Sequence, residues 1–140
     1  MYAGLVGRLL RWVIAQLNDG RVPRVVWWFA DDATFDFAGT STWSGRRTGR
    51  EEIGEWLQRF ADTGLRLEVL DVVVSGGPWN MRVAIRFRDR LVDGSGSVVY
   101  ENEGMLYERV RWGRITHHES HEDTERVTRF DEYLRSAPPS

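Results

Sequence analysis

From Leu65 to Glu122 the chain reads as four β-rich runs, LRLEVLDVVV, NMRVAIRFRDRL, SVVYENEGMLYERVRW and RITHHESH. Gly76-Gly77-Pro78, Asp93-Gly94-Ser95-Gly96 and Trp112-Gly113 separate them. Such separators are turn chemistry, because glycine and asparagine-like residues tolerate the backbone angles of tight hairpins, so the runs predict a meander of antiparallel strands.

The chain before Leu65 has a different period. Leu5, Leu9, Trp12, Val13 and Leu17 recur at helical spacing, and Asn18-Asp19-Gly20 stops the pattern where a helix end favours positive φ. Pro23 suits an early helical position, and Val25 to Phe29 predicts a short second helix. Asp31 and Asp32 are read as closing that helix rather than as a carboxylate pair for chemistry. Ala33 to Phe37 predicts a strand and Ala38 to Gly45 a loop. In TGREEIGEWLQRF, Thr48 three residues before Glu51 forms a capping-box pattern, and Ile53, Trp56, Leu57 and Phe60 mark one apolar face. Asp123 or Thr124 caps a last helix carrying Val127, Phe130 and Leu134. Helices gathered first and strands later predict an α+β domain, with N-terminal helices packed over the concave face of a curved antiparallel sheet. That concavity is the natural small-molecule pocket. The 140 residues make one domain, expected over residues 1–135 with a short tail at 136–140.

Composition removes whole reaction classes. All 19 positive side chains are arginine and there is no cysteine. Schiff-base lysines, phosphate-loop lysines, thiolate nucleophiles and cysteine-held zinc are therefore excluded. His117, His118, His121, the carboxylates and the tyrosines are left for proton transfer. The formal net charge is -2 and the arginines are scattered, so no nucleic-acid partner is expected. No stretch approaches the roughly 20 apolar residues of a membrane helix, so no membrane partner is expected and the expected location is cytoplasmic.

The segments QLNDGRVPRVVWWFADDATFDFAG, SGRRTGREEIGEWLQRF and WGRITHHESHED resemble the nuclear transport factor 2-like superfamily, and within it the SnoaL-like polyketide cyclases and ketosteroid-isomerase-like enzymes. The resemblance implies a cone-shaped fold. It also implies a small-molecule enzyme, a cyclase, isomerase, dehydratase or hydrolase of a hydrophobic cyclic metabolite that needs no cofactor. The alternative in the same fold is a non-catalytic ligand-binding or dimerisation domain.

Several family positions are changed here. The isomerase base falls on Phe37, its oxyanion-holding tyrosine near Val13 and its protonated aspartate near Leu106. The water-holding pair of limonene-epoxide hydrolases falls on Phe35 and Phe37, and their acids around Arg86 and on Ser120. The SnoaL-like histidine is kept at His118 and the distal aspartate at Asp123. The resemblance thus implies His118 and Glu122 as the catalytic pair, supported by Tyr100 and Asn102. Phe35, Phe37, Trp56, Leu106 and Ser120 are expected to complete the ligand pocket.

Two arguments oppose each other on the last strand. The resemblance turns His118, Ser120 and Glu122 inward. Ile115, as the apolar residue, would turn the opposite face inward, with His117, Glu119, His121 and Asp123. His117, Glu119 and His121 are read as a solvated face and no metal is expected. Arg82, Arg86 and Arg88 alternate with Val83, Ile85 and Phe87, which predicts an arginine-bearing convex face and, from the resemblance, a homodimer formed through it.

Overall fold

The turn clusters fall where the β-rich runs end. In the computed structural model, which describes residues 2–136, the elements run α1 (Tyr2–Asn18), α2 (Val22–Val26), β1 (Phe29–Phe37), β2 (Gly45–Thr48), α3 (Gly49–Asp62), β3 (Arg66–Gly77), β4 (Asn80–Val92), β5 (Val98–Arg111), β6 (Arg114–Glu122) and α4 (Thr124–Ser136). The expected tail at 136–140 begins on the last helical residue, and residues 137–140 lie outside the described residues.

One sheet holds all six strands in the order β2-β1-β6-β5-β4-β3. Strands β3 to β6 form the expected antiparallel meander, β1 joins β6 in parallel, and β2 returns antiparallel to β1. This is an α+β fold whose sheet stays open. Gly104 marks a tight point in it: a Cβ there would collide with the His121 carbonyl oxygen and stand 2.9 Å from the Phe87 ring, a close approach that only glycine permits.

Alternation decides which side chains go inside. Along β4, Met81, Val83, Ile85 and Phe87 are buried while Arg82, Arg86 and Arg90 are exposed. Burying a side chain of this size is worth roughly 1.5–3 kcal/mol, so this one strand fixes which side of the sheet is concave. The apolar interior has two parts. One is a cluster of β4 with Leu106 of β5. The other joins α1, α2, α3, β1 and α4 and contains Phe35, Ile53, Trp56 and Phe130.

Four expectations need correction. The second helix starts earlier, at Val22, and β1 begins at Phe29. Asp31 and Asp32 therefore stand exposed inside β1, where the register with β6 shifts between Phe29 and Thr34. The Thr48 side chain makes no capping hydrogen bond; its backbone N–H donates instead to Glu52 Oε2 at 2.6 Å. In α1 the buried positions are Gly7, Val13, Gln16 and Leu17, while Leu5, Leu9 and Trp12 are exposed. The helix contacts β3, α2 and α3; in its N-terminal half Val6 and Leu10 pack on the β4 cluster, and Leu9 stands on the cavity rim. Gly20, with φ of 76°, ends the connection after α1 as expected.

Candidate functional site

A cavity of about 170 Å³ opens between the concave face and α1, α2 and α3. It is comparable with apolar cavities of about 150 Å³ that hold a benzene-sized guest. Val6, Leu9 and Leu10 of α1 stand on its wall together with Met81 and Gly113 at the strand ends. Leu9 and Gly113 are exposed, which places the mouth there.

Aromatic rings set the shape of the side wall. Trp56 of α3 packs on Phe35 at 4.7 Å and Phe37 at 5.6 Å between ring centroids, and stacks on Phe60 at 5.8 Å. Its indole N–H donates to the Trp43 carbonyl at 3.0 Å, so the largest ring on the wall is fixed in rotation. Phe35 stacks in turn on the His118 imidazole, with centroids 4.3 Å apart and planes within 5°.

β6 places His118, and a bulge resolves the opposed parities. Arg109 faces His117 and Val110 faces Ile115, so Thr116 has no partner across the ladder. The extra residue lets Ile115 and His118 both point inward. Ser120 and Glu122 follow at alternate positions and line the same cavity. On the opposite face Glu119 Oε1 and Oε2 meet His117 at 3.3 Å and His121 at 2.8 Å, and Thr34 Oγ1 meets His117 Nδ1 at 2.6 Å. The neighbouring His121 and His117 hold the Glu119 carboxyl below its ordinary range. Among the described residues, no group of three or more histidines and carboxylates is arranged to hold a metal ion.

The carboxylate beside His118 is Glu108, not Glu122. Glu108 stands directly opposite His118 across the antiparallel ladder, with Oε2 2.8 Å from Nδ1 and both side chains almost wholly buried. A carboxylate only accepts hydrogen bonds, so Nδ1 carries the hydrogen, and in the neutral ring Nε2 holds the lone pair. Among the described residues Nε2 has no protein partner, and His118 lines the cavity.

Glu122 lies deeper and pairs with Asp89 of β4. Their carboxyl groups are hydrogen-bonded to each other. Burial raises the pKa of both above the carboxylate range, and the Asp89 charge raises Glu122 further. Such a pair keeps a proton at neutral pH. Asp89 Oδ1 and Glu122 Oε2 are buried out of reach of solvent, and apart from the proton the pair shares no hydrogen bond is made to them among the described residues.

Tyr100 and Asn102 do not approach His118. Asn102 Nδ2 donates to Tyr100 Oη and to the Asp123 carbonyl, each at 3.0 Å. Tyr100 lines a smaller void of about 20 Å³ beneath α4 that shares Asp89 and Glu122 with the main cavity. Burial and the two nearby carboxyls push the phenol far above its ordinary pKa, so it stays a neutral hydroxyl. Phe35, Phe37, Trp56, Leu106 and Ser120 stand on the main cavity wall, and Asn102 on neither wall. Glu108 and Asp89 escaped the sequence reading although strand parity marks both. Glu108 is two residues beyond Leu106, and Asp89 two beyond Phe87, each at the next inward position.

The SnoaL-like domain family matches residues 10–118. The chain belongs to this family. Its fold is the nuclear transport factor 2-like cone. It is similar to Bal32a from a soil-derived mobile gene cassette, at 22% identity over 93% of this chain and 98% of that one, with a TM-score of 0.77. It is also similar to TerC co-crystallised with polyporic acid, at 18% identity, 86% and 92% coverage and a TM-score of 0.69. A protein of Kribbella flavida described as a ketosteroid isomerase matches at 19% identity, 83% and 76% coverage and a TM-score of 0.64. No curated protein matches the chain. No helix among the described residues is long and apolar enough to cross a membrane.

Proposed function

We propose that this SnoaL-like protein is a cofactor-independent enzyme that moves a proton on a small hydrophobic cyclic molecule bound in the cone. The reading rests on the His118–Glu108 dyad. Glu108 orients the ring and stabilises its protonated form, and Nε2 accepts a proton from ligand carbon or oxygen and returns it. The stacked Phe35 keeps the imidazole plane fixed, and the apolar wall excludes water that would compete for the proton. An unfilled cavity favours a ligand-using protein over a purely structural domain. Co-crystallisation of TerC with polyporic acid also supports a small-molecule ligand.

Solvent-deuterium exchange into a panel of cyclic ketones, followed by NMR, tests the reading. Exchange by the wild-type protein that His118→Ala abolishes supports it. Exchange that survives His118→Ala unchanged ends it.

The partner assignment follows from the convex face. Arg86, Arg88 and Arg90 alternate there with Glu101 and Glu103 of the next strand, a pattern that a two-fold copy can match. A homodimer is the expected species, and a monomeric mass in light scattering at micromolar concentration would remove it.

A further inference from the structure

Exposed apolar side chains gather at one end of the molecule. Trp12, Trp27, Trp79 and Trp112 are the exposed tryptophans of the described residues, and each lies next to cavity-lining residues: Trp12 before Val13, Trp27 before Trp28, Trp79 two before Met81 and Trp112 before Gly113. On α1, Leu5, Leu9 and Trp12 fall three and four residues apart on one stripe. Four residues on, that stripe reaches Gln16, which α2 covers by placing Arg21 and Arg24 on its carbonyl oxygen at 3.4 and 3.2 Å. The rest of the stripe is open, with Leu5 59% and Trp12 46% exposed. Two hairpin tips are tied together at the same end, Trp112 N–H donating to the Pro78 carbonyl at 2.7 Å. Trp112 is 74% exposed with φ of 50°, a left-handed turn position that asparagine or glycine suits better. The most exposed large apolar side chain of the described residues thus stands where the backbone least favours a ring.

Charge is sorted the same way. Residues 2–14, 25–30, 72–85 and 109–118, which build this end, hold six arginines and no aspartate or glutamate. Across the ladder Arg82 faces Arg109 and Arg111 faces Arg114, and like charges directly opposite weaken a sheet. Among the described residues none of the six meets a carboxylate. Arg11 turns to the Gly7 carbonyl, and Arg114 lies over the Trp27 ring, 4.0 Å from its centroid. Farther along the same sheet Arg86, Arg88 and Arg90 are answered by Glu101 and Glu103. On β1 the next carboxylates are Asp31, held by Arg50 at 3.1 Å, and Asp32. The opposite hairpin, Asp93 to Ser97, carries an aspartate and no ring.

Indole rings and arginines without carboxylates match the head-group layer of an acidic bilayer, where tryptophan settles at the interface and arginine meets phosphate. A protein partner would need a surface matched to rings projecting from separate elements, whereas a fluid head-group layer needs none. We propose that this end of the molecule rests on an acidic membrane surface, with Trp79 and Trp112 in the head-group layer and the cavity mouth open to the lipid. A hydrophobic ring then passes between bilayer and cavity without crossing water. The expectation of no membrane partner rests on the lack of a spanning stretch, and no helix among the described residues can span; a protein lying on the surface needs none. Docking does not depend on proton transfer by His118, so the vesicle test below and the exchange test above fail separately.

Co-sedimentation with vesicles of phosphatidylcholine, alone and mixed with phosphatidylglycerol, tests the proposal. The protein should bind the mixed vesicles at least about tenfold more tightly than the neutral ones, and added salt should release it. Trp112→Asn fits the turn, so it should keep the fold while weakening binding about tenfold, and Trp79→Ala should do the same. Arg8→Gln and Arg111→Gln should each weaken it about fivefold. Val98→Ser, beside the opposite hairpin, should bind as wild type. Failure to sediment with the mixed vesicles overturns the proposal, as do equal binding to neutral vesicles, wild-type binding by both tryptophan variants, or a Val98→Ser loss as large as theirs. A wild-type protein that stays in solution, and whose mass in light scattering falls in Trp112→Asn, assigns this end to contact between copies of the chain and also overturns it.

Discussion

The two faces of one sheet use the same ionisable residues under opposite rules. On the convex face Arg88 meets Glu103 at 2.8 Å, Arg90 meets Glu101 at 2.9 Å and Arg46 meets Asp36 at 2.7 Å, all in contact with solvent. On the concave face there are carboxyls without arginines. Outside, a charge finds a partner or water and its pairing is worth about 0–1 kcal/mol. Inside, each carboxyl must share a proton, as Asp89 and Glu122 do, or take a histidine, as Glu108 does. The same strand builds both: β4 alternates arginine outward with apolar residues inward, and its inward series carries Asp89 between Phe87 and Leu91.

Disrupting the interior should therefore matter far more than disrupting the exterior. The largest effect is expected at His118, where His118→Ala should lower any proton-transfer rate by about 10²–10⁴ while leaving the circular dichroism spectrum unchanged. Phe35→Ala should cost about 3–5 kcal/mol in chemical denaturation, since the ring is 1% exposed and packed on Trp56 and His118.

The acid pair should appear in the pH dependence of stability. Its folded-state pKa values lie above the unfolded ones. The unfolded chain thus ionises first as pH rises, and the pair's contribution, complete in acid, is lost from the ordinary carboxylate range up to about pH 9. Asp89→Asn should flatten that decline by roughly 1–2 kcal/mol, read as melting temperature against pH. The smallest effect belongs to the exterior away from the proposed dimer face: Glu125→Ala, which removes the exposed Arg129 pair on α4, should change stability by less than about 1 kcal/mol, with salt reducing the difference further. A Glu125 effect as large as that of Phe35 would break the contrast.

The fold was legible because turn chemistry and period-two alternation are local. Gly76-Gly77-Pro78 and Trp112-Gly113 placed strand ends, and Val83, Ile85 and Phe87 identified the concave face. The partner of His118 was not legible. It depends on the β5–β6 register and on the bulge at Thr116, and both are set by pairing between strands rather than by either strand alone. Glu108 had the parity of Leu106, but a glutamate in an inward series gives no local sign of the histidine that will face it. The first helix is a related case: the period of Leu5, Leu9 and Trp12 marks a helix but not what that side of it covers, and Leu9 stands on the rim of an open cavity.

α4 gives the molecule a separable backing. Residues beyond His118 lie outside the family match, and they include Glu122 and the whole helix. α4 is attached through Val127, Phe130 and Asp131, the last accepting from Thr42 N–H at 2.7 Å and Thr42 Oγ1 at 2.8 Å. α4 supplies Val127 and Phe130 to the small void beside Asp89 and Glu122 and no residue to the main cavity wall. It therefore backs the acid pair from behind, and changing Phe130 would alter what supports those carboxyls while leaving the ligand wall and the dyad in place.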